Sequence, residues 1–211
     1  MERTSMERTL AAGATKLTYE DFLLFPDDGR RHELIDGEHY VTPSPSVRHQ
    51  RILQHLNRLL DGFAEAHGLG KVFFAPLDVL LSEHDVVEPD LVFISNERAS
   101  IVAAAHLRGA PDLAVEVLSP SSRRQDEVLK RGLYERAGVD EYWLVDPEAE
   151  TVKVFRREGA RYGRPTLLSA VDGDRLATPK LPGFEAELAA IFAEQLAADR
   201  VGAASGGISA S

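Results

Sequence analysis

The chain has 211 residues, of which 24 are Lys or Arg and 34 are Asp or Glu, so its formal net charge is −10. This charge argues against a protein that coats nucleic acid through many phosphate contacts. It does not exclude a nuclease, because carboxylates that gather a divalent cation reverse the local field. The sequence contains no cysteine, which excludes disulfides and thiolate chemistry.

The composition predicts a globular protein with short tails. Hydrophobic residues make up 44% of the chain, as in ordinary globular proteins, and no run of about eighteen apolar residues predicts a membrane span. The first residues lack the layout of a secretory signal, so we expect a cytoplasmic location. We expect one domain over residues 16–196. Residues 1–15 and the Gly/Ala/Ser-rich residues 197–211 are expected to be flexible.

The first half of this domain predicts two helices around a hairpin. Thr18 suits the N-cap of a short helix that stops at Pro26. Asp36-Gly37, between two short extended arms, predicts a β-hairpin. Apolar residues then recur at helical spacing from Ser46 to His67, and Gly68 is suited to end that helix.

The second half alternates strands with a helix. The predicted strands are residues 71–81, 86–95, 112–119, 141–147 and 151–157, and the predicted helices are residues 123–138 and 182–192. The last two strands form a hairpin. Because a helix joins the strand at 112–119 to the strand at 141–147, we expect those two to lie parallel. The order predicts an α/β fold, a mixed β-sheet flanked by helices.

One carboxylate lies inside the most apolar strand. Glu116 stands between Val115 and Val117, and side chains alternate along a strand, so it shares a face with Ala114 and Leu118. A lone buried carboxylate tends to protonate unless a cation or hydrogen bonds hold its ionised form. Glu116 therefore predicts a cation nearby. The alternative is a strand at the sheet edge, with Glu116 facing solvent.

A second carboxylate, Asp90, follows Pro89. Proline cannot donate to a sheet ladder, so it marks an edge, a bulge or a strand start, where a side chain can turn into a cleft. Glu88 shares the face of Asp90 if the segment is extended, and we rank Asp90 above Glu88 as a metal ligand. Taken singly, an Asp after a proline is more often a turn residue.

The helix after Glu116 offers a cation. Asp126, Lys130 and Tyr134 lie at i, i+4 and i+8, on one stripe, and packing this helix on the sheet brings Lys130 towards Glu116. Two carboxylates and a main-chain carbonyl suit Mg²⁺, and an ammonium group stabilises charge that develops during phosphodiester hydrolysis. The alternative is an ordinary surface pair of Asp126 and Lys130.

Five sequence motifs, in this order and at these separations, resemble a known family. They are "HELIDGE", "VVEPDLVFI", "PDLAVEVLSPSS", "DEVLKRGLY" and "AGVDEYWLVDP". The family that they resemble is the Uma-two family of restriction endonucleases, a branch of the PD-(D/E)XK nuclease superfamily, and the resemblance covers residues 17–195. It implies a restriction-endonuclease-like fold, DNA as the substrate and dependence on Mg²⁺, with Mn²⁺ as a substitute.

The resemblance also implies site residues. By position, Asp90 and Glu116 match the two carboxylates of the motif, and the main-chain carbonyl of Val117 is a further metal ligand. The slot for lysine two residues after Glu116 holds Leu118. The lysine of this family lies in the following helix, which here gives Lys130.

Several other residues have two interpretations each. Glu33 matches an amino-terminal acidic position that some superfamily members use as an additional metal ligand, or is an exposed hairpin carboxylate. His49 contacts phosphate or makes a structural hydrogen bond. Arg123 and Arg124 contact phosphate or belong to a solvated helix start. Tyr134 packs in the interior or contacts substrate.

Three functions remain open at this point. The first is a Mg²⁺-dependent DNA endonuclease that uses Asp90, Glu116 and Lys130. The second is a nuclease-like module that binds nucleic acid or a protein partner without cutting, which the acidic charge and Leu118 favour. The third is an interaction protein that forms a homodimer, a state that is compatible with all three functions.

Overall fold

The structure, a computed structural model, describes residues 15–193. The segments expected to be flexible, residues 1–15 and 197–211, lie outside the described residues, apart from residue 15. Within the described part of the chain, no helix combines the length and the apolar character needed to cross a bilayer.

Four α-helices and fourteen strands make up the described fold. The helices are α1 (Tyr19–Phe22), α2 (Val47–Ala66), α3 (Arg131–Ala137) and α4 (Leu188–Phe192), with a 3₁₀-helix at Asn96–Ile101 and a π-helical turn at Gln125–Lys130 that leads into α3. The strands are β1 (Arg31–Ile35), β2 (Glu38–Thr42), β3 (Gly70–Phe74), β4 (Val79–Ser82), β5 (Asp85–Val87), β6 (Leu91–Ser95), β7 (Leu107–Arg108), β8 (Leu113–Val117), β9 (Glu141–Asp146), β10 (Thr151–Glu158), β11 (Arg161–Tyr162), β12 (Thr166–Ser169), β13 (Arg175–Ala177) and β14 (Glu185–Glu187).

The larger sheet contains the parallel crossover. Its strand order is β11-β10-β9-β8-β6-β3, and β12 also pairs with β10. Strands β8 and β9 run parallel, joined by the π-helical turn and α3, and β10 runs antiparallel to β9. These pairings confirm the predicted mixed sheet, its crossover and its hairpin.

A smaller sheet lies beside it, in the order β2-β1-β5-β4-β7. The predicted hairpin is present, because Ile35 pairs with Glu38 across the two-residue turn of Asp36 and Gly37. Both turn residues have positive φ, 55° and 74°, as the type I′ turn requires. This hairpin carries Arg31 and Glu33 on one face of β1.

Strand β8 is buried on both faces. Leu113, Val115 and Val117 pack in a core with residues of α2 and α4, whereas Ala114 and Leu118 pack in a second core that includes residues of α3. The predicted alternation is confirmed, and the face that carries Glu116 is the one covered by α3. Because β8 lies between β6 and β9, the alternative of an edge strand is wrong.

Two segments predicted as single strands are each divided between the two sheets. Residues 71–81 break around Pro76 into β3 and β4, and residues 86–95 break at Glu88–Asp90 into β5 and β6. Strands β3 and β6 belong to the larger sheet, and β4 and β5 to the smaller. Proline cannot donate to a ladder, so the chain changes sheets there, and Asp90 lies at the junction.

The helix ends follow the predicted caps, with one correction. Thr18 caps α1, Ser46 caps α2, and Gly68 follows α2 with a φ of 61°. The predicted closing helix over residues 182–192 is wrong in its first half, because Glu185–Glu187 forms β14 and pairs with β13. Strand β14 has only three residues, too few for alternation to indicate a strand.

The pairing of β3 with β6 can be tested through Gly70. A Cβ atom at Gly70 would lie 2.1 Å from the carbonyl oxygen of Ile94, so Gly70→Ala should lower the free energy of unfolding by about 1–3 kcal/mol. Gly62 has no heavy atom within 4 Å of its added Cβ, and Gly62→Ala in α2 should raise it by about 0.5–1 kcal/mol. Urea unfolding measures both. Equal stability of Gly70→Ala and the parent protein would contradict this register.

Candidate active site

The ends of several elements meet at one cleft with a volume of about 300 Å³. Asp90 directly precedes β6, while Glu116 and Val117 end β8. Lys130 ends the π-helical turn, and His49 lies in the first turn of α2. All five residues line the cleft, because β6 and β8 are neighbours and the crossover packs back on their sheet.

The carboxylate of Asp90 is 2% exposed and hydrogen-bonded at both oxygens. Arg31 Nη1 donates to Oδ1 at 2.9 Å, while His49 Nε2 and the amide of Val117 donate to Oδ2 at 3.0 and 2.8 Å. Burial alone would raise the pKa of Asp90, but these donors and the charge of Arg31 outweigh it and lower the pKa to about 2. Asp90 is therefore ionised at neutral pH.

Glu116 is equally buried but has the opposite pKa shift. Its Oε1 accepts hydrogen bonds from Lys130 Nζ at 2.9 Å and from the hydroxyl of Tyr134 at 2.8 Å. Burial, together with the negative charges of Asp126 and Asp90, raises the pKa of Glu116 to about 8 despite the charge of Lys130. No described residue donates a hydrogen bond to Oε2, so that oxygen is available to a further ligand.

Lys130 is a buried cation held by three carboxylates. Its Nζ lies 2.7 Å from Glu33 Oε1, 2.9 Å from Glu116 Oε1 and 3.7 Å from Asp126 Oδ1. Burial would lower the pKa of Lys130, but these negative charges raise it, so the ammonium group remains charged. Asp126 and Lys130 are each 2% exposed, and the alternative of a surface pair is therefore wrong. The π-helical turn that carries both residues is of a kind frequent at functional sites.

The cluster contains more acids than bases. Its members are the carboxylates of Glu33, Glu88, Asp90, Glu116 and Asp126, and the cations of Arg31 and Lys130. Five acids and two cations leave three negative charges in excess when all are ionised. Burial and the neighbouring acids also raise the pKa of Glu88 to about 7 and that of Asp126 to about 6. A divalent cation would offset two of these three charges.

The oxygens of the cleft fit Mg²⁺. This ion prefers oxygen ligands, is commonly held by one or two carboxylates and keeps several waters. Asp90, Glu116 and the main chain of Val117 line the same cleft and supply such oxygens. Within residues 15–193, no three His, Asp or Glu side chains form a metal cage by themselves, so water would complete the coordination.

Glu33 lies behind the cleft, where it contacts Lys130. It is fully buried, so the alternative of an exposed hairpin carboxylate is wrong. Besides Lys130, Oε1 accepts the amide of Glu88 at 2.9 Å, and Oε2 accepts Gln125 Nε2 at 2.7 Å. Glu33 does not line the cleft, which favours a role in holding Lys130 over a role as a metal ligand.

Of the remaining candidate site residues, only His49 lines the cleft. Arg123 pairs with Asp146 at 2.8 Å and Arg124 is exposed, and neither lines the cleft. Tyr134 is fully buried, so its hydroxyl contacts Glu116 and not a bound substrate. His49 makes the structural hydrogen bond to Asp90 and also lines the cleft.

Sequence reasoning missed two arginines of the site. Arg31 bonds Asp90, and Arg48 lines the cleft with its Nη2 2.8 Å from Glu150 Oε1. For Arg31 a signal existed, because it is two residues before Glu33 in a strand and therefore shares its face. Nothing local singled out Arg48.

Comparison with known proteins gives the family. The family profile described as "Uma2: Putative restriction endonuclease" matches residues 19–190. The chain belongs to the Uma2 family. The crystal structure of "a putative nuclease belonging to DUF820" from Anabaena variabilis ATCC 29413 is similar to this Uma2 chain, with a TM-score of 0.71 and 19% identity, over 83% of this chain and 97% of that one. The likeness confirms the predicted restriction-endonuclease-like α/β fold. No match is found among curated proteins.

Removal of the buried ammonium group tests its electrostatic role. In Lys130→Met the buried carboxylates of Glu33 and Glu116 lose their cation, so the free energy of unfolding should fall by about 3–5 kcal/mol. Lys153 pairs with Glu127 at the surface, with 41% of its side chain exposed, and Lys153→Met should cost no more than about 1 kcal/mol. Urea unfolding compares the two. Equal losses would contradict the assignment of Lys130 as the central cation.

The raised pKa values predict an unusual pH dependence of the metal-free protein. Asp126, Glu88 and Glu116 have folded-state pKa values of about 6, 7 and 8, above their unfolded values. The folded state therefore keeps protons that the unfolded state has released, and stability falls as pH rises through these values. Thermal unfolding in EDTA should show Tm falling from about pH 5 to about pH 9, with a smaller fall in Glu116→Gln. A Tm that rises over this window would refute the charge excess.

Proposed function

We propose that this Uma2 protein is a Mg²⁺-dependent endonuclease that hydrolyses DNA phosphodiester bonds through Asp90, Glu116 and Lys130. The observation that carries the proposal is the ammonium group of Lys130, 2.9 Å from Glu116, in the same cleft as the ionised Asp90. The family description supports cleavage of nucleic acid. Residues 16–196 would act as one domain.

The proposed metal ligands are Asp90, Glu116 through its Oε2, and the carbonyl of Val117. When bound, Mg²⁺ polarises the phosphoryl oxygens and lowers the pKa of a water molecule, and Mn²⁺ would substitute. Arg31 and His49 fix the orientation of Asp90 through their hydrogen bonds. Such partners of a ligand commonly matter about 10- to 100-fold for metal affinity or activity.

Lys130 supplies fixed positive charge beside the reacting phosphate. A preorganised cation in a water-poor site stabilises charge that develops in the transition state. Its position depends on Glu33, which is itself oriented by Gln125 at 2.7 Å. In this arrangement Glu33 positions the lysine and is not among the proposed metal ligands.

A binding module that does not cut is the second candidate function. Leu118 occupies the usual lysine slot and is buried in the second core. Lys130 meanwhile has carboxylates of three residues around it, which reduces the charge that it can offer to a phosphate. These two observations favour weak catalysis.

Plasmid nicking distinguishes the two functions. The protein should convert supercoiled plasmid to the nicked form with Mg²⁺ or Mn²⁺ but not in EDTA. Asp90→Asn and Glu116→Gln should each lower the nicking rate by at least about 100-fold, since each removes a ligand of the ion that stabilises the developing charge. Asp61→Asn, a change in α2 outside the cleft, is the control and should keep the parent rate.

Two other outcomes would overturn the proposal. Nicking that survives both substitutions at the parent rate would refute the assigned site. Absence of cleavage of both supercoiled plasmid and single-stranded DNA with either metal, in a protein that unfolds cooperatively, would favour the binding module.

A further inference from the structure

Three cavities join along the first half of α2. The cleft of the candidate site shares Arg31 and residues 42–45 with a second cavity of about 440 Å³. The second shares Gln50 and Leu53 with a third cavity of about 590 Å³, which ends at Phe74. We call the three joined cavities the α2 groove. One surface path therefore leads from the candidate site to the end of β3.

Charge is distributed unevenly along the α2 groove. Acids outnumber cations in the cleft of the candidate site, the second cavity is lined by Asp27, Glu88, Arg30 and Arg31, and Arg51 is the one charged residue that lines the third. Four arginines line it, Arg30, Arg31, Arg48 and Arg51. Arg31 and Arg48 are paired with carboxylates, but no described carboxylate lies within 4.0 Å of Arg51, which is the charged residue of the third cavity. Arg30 has one carboxylate oxygen, of Asp28, at 3.7 Å and is 67% exposed. The far part of the groove thus offers cations to an anionic ligand.

The third cavity also offers groups that recognise bases. Gln50, Gln54 and Asn57 lie at i, i+4 and i+7 of α2 and line it together. The Oδ1 atom of Asn57 is buried and has no hydrogen-bond partner among the described residues. Phe74 is 57% exposed. Amides pair with base edges, and an exposed aromatic ring provides a surface for base stacking.

We propose that the α2 groove binds a single strand of DNA that leads to the candidate site, with Arg30 and Arg51 on its phosphates and Phe74 stacked on a base. Cations along the backbone path, beside an aromatic platform, are the usual combination for single strands, and the far part of the groove provides both. In a duplex the faces of the bases already stack on their neighbours, so Phe74 would find no free base. This inference rests on the proposed function, because it takes the site's substrate to be DNA.

The buried site also favours a single strand. Asp90, Glu116 and Lys130 are each 2% exposed, so a phosphate must enter the cleft to reach them. The cleft volume of about 300 Å³ is at the small end of ligand pockets. A single flexible strand can follow such a path. In a duplex, the complementary strand would also have to enter the cleft.

Fluorescence anisotropy with the full chain in EDTA tests the groove without cleavage. A labelled single-stranded oligonucleotide should bind at least about tenfold more tightly than the duplex of the same sequence, and Phe74→Ala should weaken strand binding by about tenfold. Arg51→Ala should lower the slope of log K against log salt by about 0.7, the loss of one phosphate contact on a single strand. Arg164→Ala, a loop arginine that is exposed and lines none of the three cavities, is the matched control and should leave the slope and Kd unchanged.

The outcomes separate this inference from the proposed function. Equal binding of strand and duplex, or equal effects of Arg51→Ala and Arg164→Ala, would overturn the single-strand path even if plasmid is nicked. Strand binding that depends on Arg51 and Phe74, in a protein that cleaves neither single-stranded DNA nor plasmid with Mg²⁺ or Mn²⁺, would retain the path and reject the nuclease proposal.

Discussion

A buried excess of negative charge is the constraint on which the rest of the site depends. Carboxylates removed from water stay ionised only when a cation or strong donors lie beside them. Arg31 and the other donors provide this for Asp90. Lys130 contacts Glu116 but does not bring its pKa below about 8, because two cations do not balance five acids. Burial and the excess charge raise the pKa of Glu116, and a divalent ion in the cleft would offset two of the three excess charges.

The same constraint explains why the two sheets meet where they do. Arg31 and Glu33 belong to the smaller sheet, and Glu116 belongs to the larger one. The ion pairs Arg31–Asp90 and Glu33–Lys130 cross from one sheet system to the other. The groups that hold the site together therefore also hold the two sheets together, and neither sheet contains a complete site by itself.

The part of the fold set by local pattern could be predicted from the sequence, and the part set by distant pairing could not. Strand alternation gave the face of Glu116, and helical spacing gave the side of the helix on which Lys130 lies. The contact of Lys130 with Glu33 depends on how β1, a strand distant in sequence, packs against the crossover helix. The change of sheet before Asp90 and the α2 groove likewise require elements to be placed in three dimensions, which periodicity does not provide.

The central claim is that Asp90 and Glu116 bind one divalent cation in the cleft. A crystal soaked in Mn²⁺ and measured for anomalous scattering tests it most directly. The account predicts one peak in contact with oxygens of both carboxylates at about 2.1 Å, with Lys130 still beside Glu116. A fully soaked crystal with no peak between these two side chains, and Glu116 bonded to Lys130 and Tyr134 alone, would contradict it.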